Sequence, residues 1–227
     1  MPAVLFRDRA EAGCILADRL RKVVKGQDVL VLALPRGGVP VGLEVARVLN
    51  SDLDVFVVRK LGVPGHEELA MGAVASGGIR VLNRSLIEQL RIPEAAIDEA
   101  TDRENLEVHR REGVYRQGRP RAPVAGRTVV LVDDGLATGA TMLAAVRTLS
   151  MQDPEKIVAG VPVAAPETCE RFQKYVDHML CIATPKAFQA VGIWYGSFPQ
   201  ITDEEVGDLL GRAARRQDRR MVGLYSD

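Results

Sequence analysis

The stretch Val129-Val-Leu-Val-Asp-Asp-Gly-Leu-Ala-Thr-Gly-Ala-Thr-Met142 constrains the fold more than any other part of this sequence. An unbroken apolar run without alternation is what a strand buried on both faces requires. The two aspartates that leave it need partners, because an apolar interior offers a carboxylate nothing. Small residues then lead into a helix-forming segment, so the expected unit is strand, loop and helix, with the helix starting near Thr138 and running to about Leu149. In a regular strand Asp133 and Asp134 would point to opposite faces. Both can serve one ligand only where the chain is already turning.

Similar units flank this one. The apolar run Asp28 to Leu34 ends at Pro35-Arg36-Gly37-Gly38 and is followed by a helical pattern from Val39 to Leu49. A strand over Asp54 to Val58 leads into Arg59 to Gly72, polar and glycine-containing, which reads as a long mobile loop or a hairpin; segments of that length are usually functional. Short β-prone pieces follow at 73–75 and 79–82, then a charged, helix-prone insertion at about 84–120. A strand at 157–163, a helix from about Pro166 to Tyr175 and a strand at 179–183 continue the alternation, and an amphipathic helix at about 7–24, stopped by Gly26, precedes it. The predicted fold is α/β: a doubly wound, mainly parallel five-stranded sheet with a helical insertion. A length of 227 residues fits a single domain, 1–227.

Charge and cysteine content narrow the function classes. Lys plus Arg and Asp plus Glu both number 30, and this zero net charge argues against a nucleic-acid partner. The apolar runs are far shorter than the ~20 residues that cross a bilayer, and the charged N-terminus does not read as a secretory signal; the expectation is a cytoplasmic protein without a membrane partner. Cys14, Cys169 and Cys181 are odd in number and lack C-x-x-C spacing, which argues against a disulfide framework or a zinc site and for small buried side chains.

The chemistry is expected at the strand ends, where open parallel sheets bind ligands. From Ala137 to Thr141 small residues let backbone N–H groups approach a phosphate, the helix adds the positive end of its dipole, and Thr138 and Thr141 add hydroxyl donors. A Gly-Thr pair alone would be read as a helix cap and a turn. The acid pair tips the balance, because carboxylates beside an anionic ligand imply ribose hydroxyls or a bridging Mg²⁺ as their partners.

Residues 129–142 resemble the phosphoribosyl-pyrophosphate signature of the type I phosphoribosyltransferases, through apolar strand, acidic pair and phosphate loop alike. The order of elements agrees over a common core of about 28–183. The resemblance implies that Asp133, Asp134, Gly135, Leu136, Ala137, Thr138, Gly139, Ala140 and Thr141 form the ribose-phosphate site. Ala137 to Thr141 would hold the 5′-phosphate, and Asp133 and Asp134 the ribose hydroxyls, directly or through Mg²⁺. Arg36, Gly37 and Gly38 would face the pyrophosphate. Arg59 or Lys60, in a loop that closes over the substrate, would stabilise the departing pyrophosphate. The implied activity is Mg²⁺-dependent transfer of ribose 5-phosphate to a nitrogenous acceptor with release of pyrophosphate, by a protein that is commonly a homodimer in this family. The alternative is a sensor that binds phosphoribosyl pyrophosphate or a nucleotide without turnover. Position 137 is Ala, whereas 6-oxopurine members carry an acidic residue there, which disfavours hypoxanthine or guanine as acceptor.

Other conspicuous residues read as ordinary. His66-Glu67-Glu68 has no metal-ligand spacing and reads as solvated loop. Phe188, Trp194, Tyr195 and Phe198 fit closure of the core or a subunit contact better than base stacking. The arginines from 103 to 121 and the run Arg215-Arg216 with Arg219-Arg220 read as solvated faces diluted by acids.

Overall fold

A computed structural model describes residues 4–224, without side chains from 218 onward, so Arg219 and Arg220 lie outside the described side chains. In chain order the elements are α1 (Arg9–Val23), β1 (Val29–Ala33), α2 (Gly38–Leu49), β2 (Asp52–Val55), β3 (Val58–Val63), β4 (His66–Ala75), β5 (Ile79–Leu82), α3 (Arg84–Leu90) and α4 (Glu94–Arg116). Then follow β6 (Thr128–Val132), α5 (Ala140–Leu149), β7 (Lys156–Val163), α6 (Pro166–Phe172), β8 (His178–Ala183) and α7 (Asp203–Leu224).

The expected five strands form one parallel sheet in the order β2-β1-β6-β7-β8. Alternation within the apolar runs divides them between two cores. Val31, Ala33, Val130 and Val132 face the layer that includes Leu16 of α1 and Val41 and Val45 of α2. Leu30, Leu32, Val129 and Leu131 face Met142, Val146 and Leu149 of α5 and Phe172 of α6. Both faces are thus covered, which is why these strands read as continuous apolar runs.

The strand order reverses beside β1: the next strand in the chain pairs on one side, and β6, β7 and β8 extend the sheet on the other. At such a point two consecutive strand-to-helix loops diverge and leave a crevice beyond the strand ends. The loops there are Pro35–Gly38 and Asp133–Gly139.

Between the alternatives for 59–72 the structure has a hairpin. Strands β3 and β4 pair antiparallel around Pro64-Gly65, where Gly65 has φ 78, and β5 extends them into a separate three-stranded sheet. The insertion is helical, as α3 and α4. Helix α5 starts at Ala140, two residues later than Thr138, because Gly139 has φ 75 and the helix cannot pass through it.

One expectation fails. Cys169 on α6 and Cys181 on β8 are joined in a disulfide, with Cα atoms 6.5 Å apart, and only Cys14 is free. An odd count excludes complete pairing; it does not exclude one bridge, and here the short connection from α6 into β8 brings the two side chains together. Among the described residues no helix is long and apolar enough to cross a membrane.

Candidate functional site

The two crevice loops meet through glycine. A Cβ on Gly37 would overlap the Asp134 carboxylate, and one on Gly38 would lie 2.9 Å from Asp133 Cα and from Val132 O. Leu34 N donates to Val132 O at 2.9 Å, so the loops are also tied at their root. The peptide between Pro35 and Arg36 is cis. Helix α5 has no side-chain cap, which leaves first-turn N–H groups free for an anion; at α2, by contrast, Gly38 N donates to Leu34 O, Val39 N donates to Arg36 O, and Pro40 has no N–H.

At the turn anticipated from the sequence, Asp133 and Asp134 come together. Asp133 Oδ1 accepts from the Asp134 N–H at 2.8 Å, and Asp134 Oδ2 accepts from Arg9 Nε at 2.8 Å. Burial and the neighbouring Asp134 charge push the Asp133 carboxyl well above the usual carboxylate range. Burial also raises Asp134, against the opposing pull of Arg9. The Tyr195 hydroxyl donates to the Asp134 carbonyl at 2.5 Å, and burial holds that phenol protonated.

The loop from Gly135 to Thr141 has one buried side and one open side. Leu136 is 2% exposed and bridges to Ala164, so its side chain belongs to the core and not to the site. Gly135 is buried against Val191. Ala137, Thr138, Ala140 and Thr141 are exposed on either side of buried Gly139 and form the accessible rim, and Thr138 Oγ1 makes only a long 3.4 Å contact with Ala140 N. The loop carbonyls turn away from this rim. Thr168 Oγ1 donates to Ala137 O at 2.7 Å and Arg171 Nη2 to Thr138 O at 2.6 Å. Withdrawing carbonyl oxygens from the rim removes the dipoles that would repel a phosphate.

The candidate cations are dispersed. Arg36 lies 3.7 Å from Asp203 at the start of α7, which also accepts from Tyr115 Oη at 2.9 Å. Arg59 Nε donates to Glu104 of α4 at 2.8 Å, while exposed Lys60 borders the cleft between the hairpin sheet and α5. Among the described residues no hydrogen bond or ion pair joins Arg59 or Lys60 to the acid pair.

Arg9, Thr168, Arg171 and Asp203 escaped the sequence reading because each reaches the site through tertiary packing from an element with no motif of its own. The aromatic cluster closes a small core, as expected: Trp194 and Tyr195 are each 5% exposed and pack with Phe6. Phe198 differs, lying under the Arg9 guanidinium at 3.7 Å. His66, Glu67 and Glu68 are exposed on the hairpin.

Residues 9–195 match the family described as "Phosphoribosyl transferase domain". A Mycobacterium tuberculosis (strain ATCC 25618 / H37Rv) protein named "Putative phosphoribosyl transferase Rv0571c" is 46% identical over 211 residues, which cover 93% of this chain and 47% of that protein. The chain therefore spans about half the length of the curated relatives it matches. The crystal structure of TT1426 from Thermus thermophilus is similar at a TM-score of 0.82 and 42% identity, over 90% of this chain and 97% of that one.

Proposed function

This chain belongs to the phosphoribosyl transferase domain family, and from that premise we propose that it binds phosphoribosyl pyrophosphate with Mg²⁺ and transfers ribose 5-phosphate to a nitrogenous acceptor, releasing pyrophosphate. The observation that carries this reading is the close approach of Gly37 to Asp134, which sets a pyrophosphate-type loop against a ribose-type acid pair at the strand-order reversal. In the proposed complex the 5′-phosphate takes the N–H groups of Ala137 to Thr141, and the ribose hydroxyls donate to Asp133 and Asp134. The pyrophosphate faces Arg36, Gly37 and Gly38.

The donor set fits Mg²⁺. Two carboxylates lie side by side, and no larger cluster of His, Cys, Asp or Glu is gathered among the described residues. Mg²⁺ typically takes one or two carboxylates and completes its shell with water and substrate phosphates. Asp133 would be the main protein ligand and Asp134 the second, shared with Arg9; when bound, the ion supplies positive charge to the leaving pyrophosphate. The acceptor nitrogen bonds to C1 as the C1–O bond breaks, the electron pair departing with pyrophosphate and the acceptor proton passing to solvent. The protein's part is positional and electrostatic. Lys60, unpaired among the described residues, suits the leaving group better than Arg59, which Glu104 already neutralises.

That same Arg59–Glu104 pair is the observation that favours a non-catalytic sensor as the second reading. Turnover separates the two. Thermal stabilisation by phosphoribosyl pyrophosphate is measured with and without Mg²⁺, followed by pyrophosphate release against a panel of nucleobases. Stabilisation with release on one base supports the transferase and names its acceptor, stabilisation alone supports the sensor, and no stabilisation removes both. Asp133→Asn is expected to weaken Mg²⁺-supported binding about tenfold, the loss of ~1.4 kcal/mol.

A further inference from the structure

Arg9 is the first residue of α1 and lies more than a hundred residues from the phosphate-loop motif, yet its guanidinium bonds directly to the acid pair. Its side chain is 8% exposed and that of Asp134 14%. All of its described contacts are specific. Nε donates to Asp134 Oδ2 at 2.8 Å, Nη1 donates to Pro199 O at 2.8 Å, and the guanidinium lies 3.7 Å over the Phe198 ring. A buried arginine is costly unless its charge is matched, and the charges that face it are those of Asp133 and Asp134.

Attachment of the N-terminal segment does not require this charge. Leu5 and Phe6 donate backbone N–H groups to Trp194 O, Gly196 donates to Phe6 O and Ser197 to Arg7 O, and the Phe6 and Tyr195 rings pack 5.4 Å apart. An apolar side chain at position 9 would suffice to seat α1 on Phe198. The cation is placed instead against one oxygen of the carboxylate pair.

We propose that Arg9 is a built-in counter-cation of the acid pair. It is a positioning residue that fixes the Asp134 carboxylate against Gly37 and compensates one of two adjacent negative charges. The unliganded protein therefore has no need of a free divalent cation at the pair, and Mg²⁺ enters only with a phosphorylated ligand that completes its shell. Stacking on Phe198 and bonding to Pro199 make the C-terminal segment the support that holds the cation in place. The inference rests on the preceding reading of Asp133 and Asp134 as the ribose and Mg²⁺ site.

The test uses the metal alone. Mn²⁺ serves as a paramagnetic probe, and its dissociation constant is measured on the full chain, without phosphoribosyl pyrophosphate, for the wild type, Arg9→Met and Arg9→Met/Asp134→Asn. Arg9→Met is expected to bind Mn²⁺ at least tenfold more tightly than wild type and to regain thermal stability as Mg²⁺ is added. The double variant, with one carboxylate charge removed, is expected to lose both effects. Equal Mn²⁺ affinity in wild type and Arg9→Met, with a simple fall in melting temperature, would overturn the proposal and leave Arg9 a structural anchor. Should Arg9→Met not fold, the charge-free Arg9→Gln decides in the same Mn²⁺ titration: tighter Mn²⁺ binding than wild type supports the proposal, and equal affinity overturns it. Wild-type stabilisation by phosphoribosyl pyrophosphate is read in parallel. Its absence strikes the proposed function, whereas the Mn²⁺ series bears on Arg9 alone.

Discussion

Gly37 shows what a single residue reveals in sequence and what it conceals. A glycine pair after a buried strand marks a tight loop, and that much is legible. The reason that glycine is needed at 37 is the Asp134 carboxylate, nearly a hundred residues away, against which any Cβ would press. Gly37→Ala must therefore displace either the loop or Asp134. Relief of such overpacking costs ~1–3 kcal/mol, and because the displaced groups are the proposed ligand contacts, binding should suffer with it. The expected result is a melting temperature lower by several degrees and a loss of stabilisation by phosphoribosyl pyrophosphate; a variant with unchanged ligand affinity would mean that the two loops do not act on one ligand. Arg9 is the opposite case. In Arg7-Asp8-Arg9 the charges alternate as on any solvated turn, and Asp8 does cap α1. Nothing local distinguishes the arginine that is buried from the one that is exposed.

At the scale of elements, α6 is a seven-residue helix that does more for the site than its length suggests. Thr168 and Arg171 hold the carbonyls of Ala137 and Thr138, Phe172 lies against Gly139, and Cys169 ties the helix to β8. The sequence showed a helix near 166–175 and nothing of this role, because a threonine and an arginine on a short helix carry no periodic signal. Arg171→Met is expected to weaken binding of ribose 5-phosphate three- to tenfold, roughly 1 kcal/mol, with little change in melting temperature since Arg171 is exposed. Calorimetric titration of both proteins with ribose 5-phosphate checks it. The disulfide closes a loop between positions 12 apart in sequence. For loops of that order the bridge stabilises by about 3 kcal/mol. Cys169→Ser/Cys181→Ser should lose about that much unfolding free energy in urea denaturation, and alkylation with mass analysis under non-reducing conditions should find only Cys14 reactive in the native protein.

For the whole molecule, α4 connects parts that the sequence presented as unrelated. Its Glu104 holds Arg59 of the hairpin, and its Tyr115 bonds to Asp203, the partner of Arg36 in the crevice. Helix α7 was not anticipated as an element. Arg215 and Arg216 on it are exposed, while its earlier turns bury Val206 and Leu210 in the core that also holds Ile97 and Tyr115 of α4. The sheet was the legible part, because strands covered on both faces must be apolar throughout; the helices that pack around it could be placed only once strand order was known. What fastens α4 to that sheet is a buried ion pair. Arg116 Nε donates to Asp54 Oδ1 at 2.9 Å and to Oδ2 at 3.1 Å, Nη2 donates to Val55 O at 3.0 Å, and Ala122 N also donates to Asp54 Oδ2 at 3.0 Å. Removing Arg116 leaves Asp54 charged in the interior, with the Val55 and Ala122 N–H groups still on it, and takes the cation from Glu112, which pairs with Arg116 Nη1, a loss of ~3–5 kcal/mol. Arg116→Met should thus destabilise the protein strongly in urea denaturation, and Arg116→Met/Asp54→Asn, which removes the buried charge and keeps an acceptor for these N–H groups, should recover part of the loss. Since Arg59 and Arg36 are both steered through α4, the single variant should also bind phosphoribosyl pyrophosphate more weakly at temperatures where it remains folded. If its affinity stayed at the wild-type value, the crevice would owe nothing to the insertion, and α4 would serve stability alone.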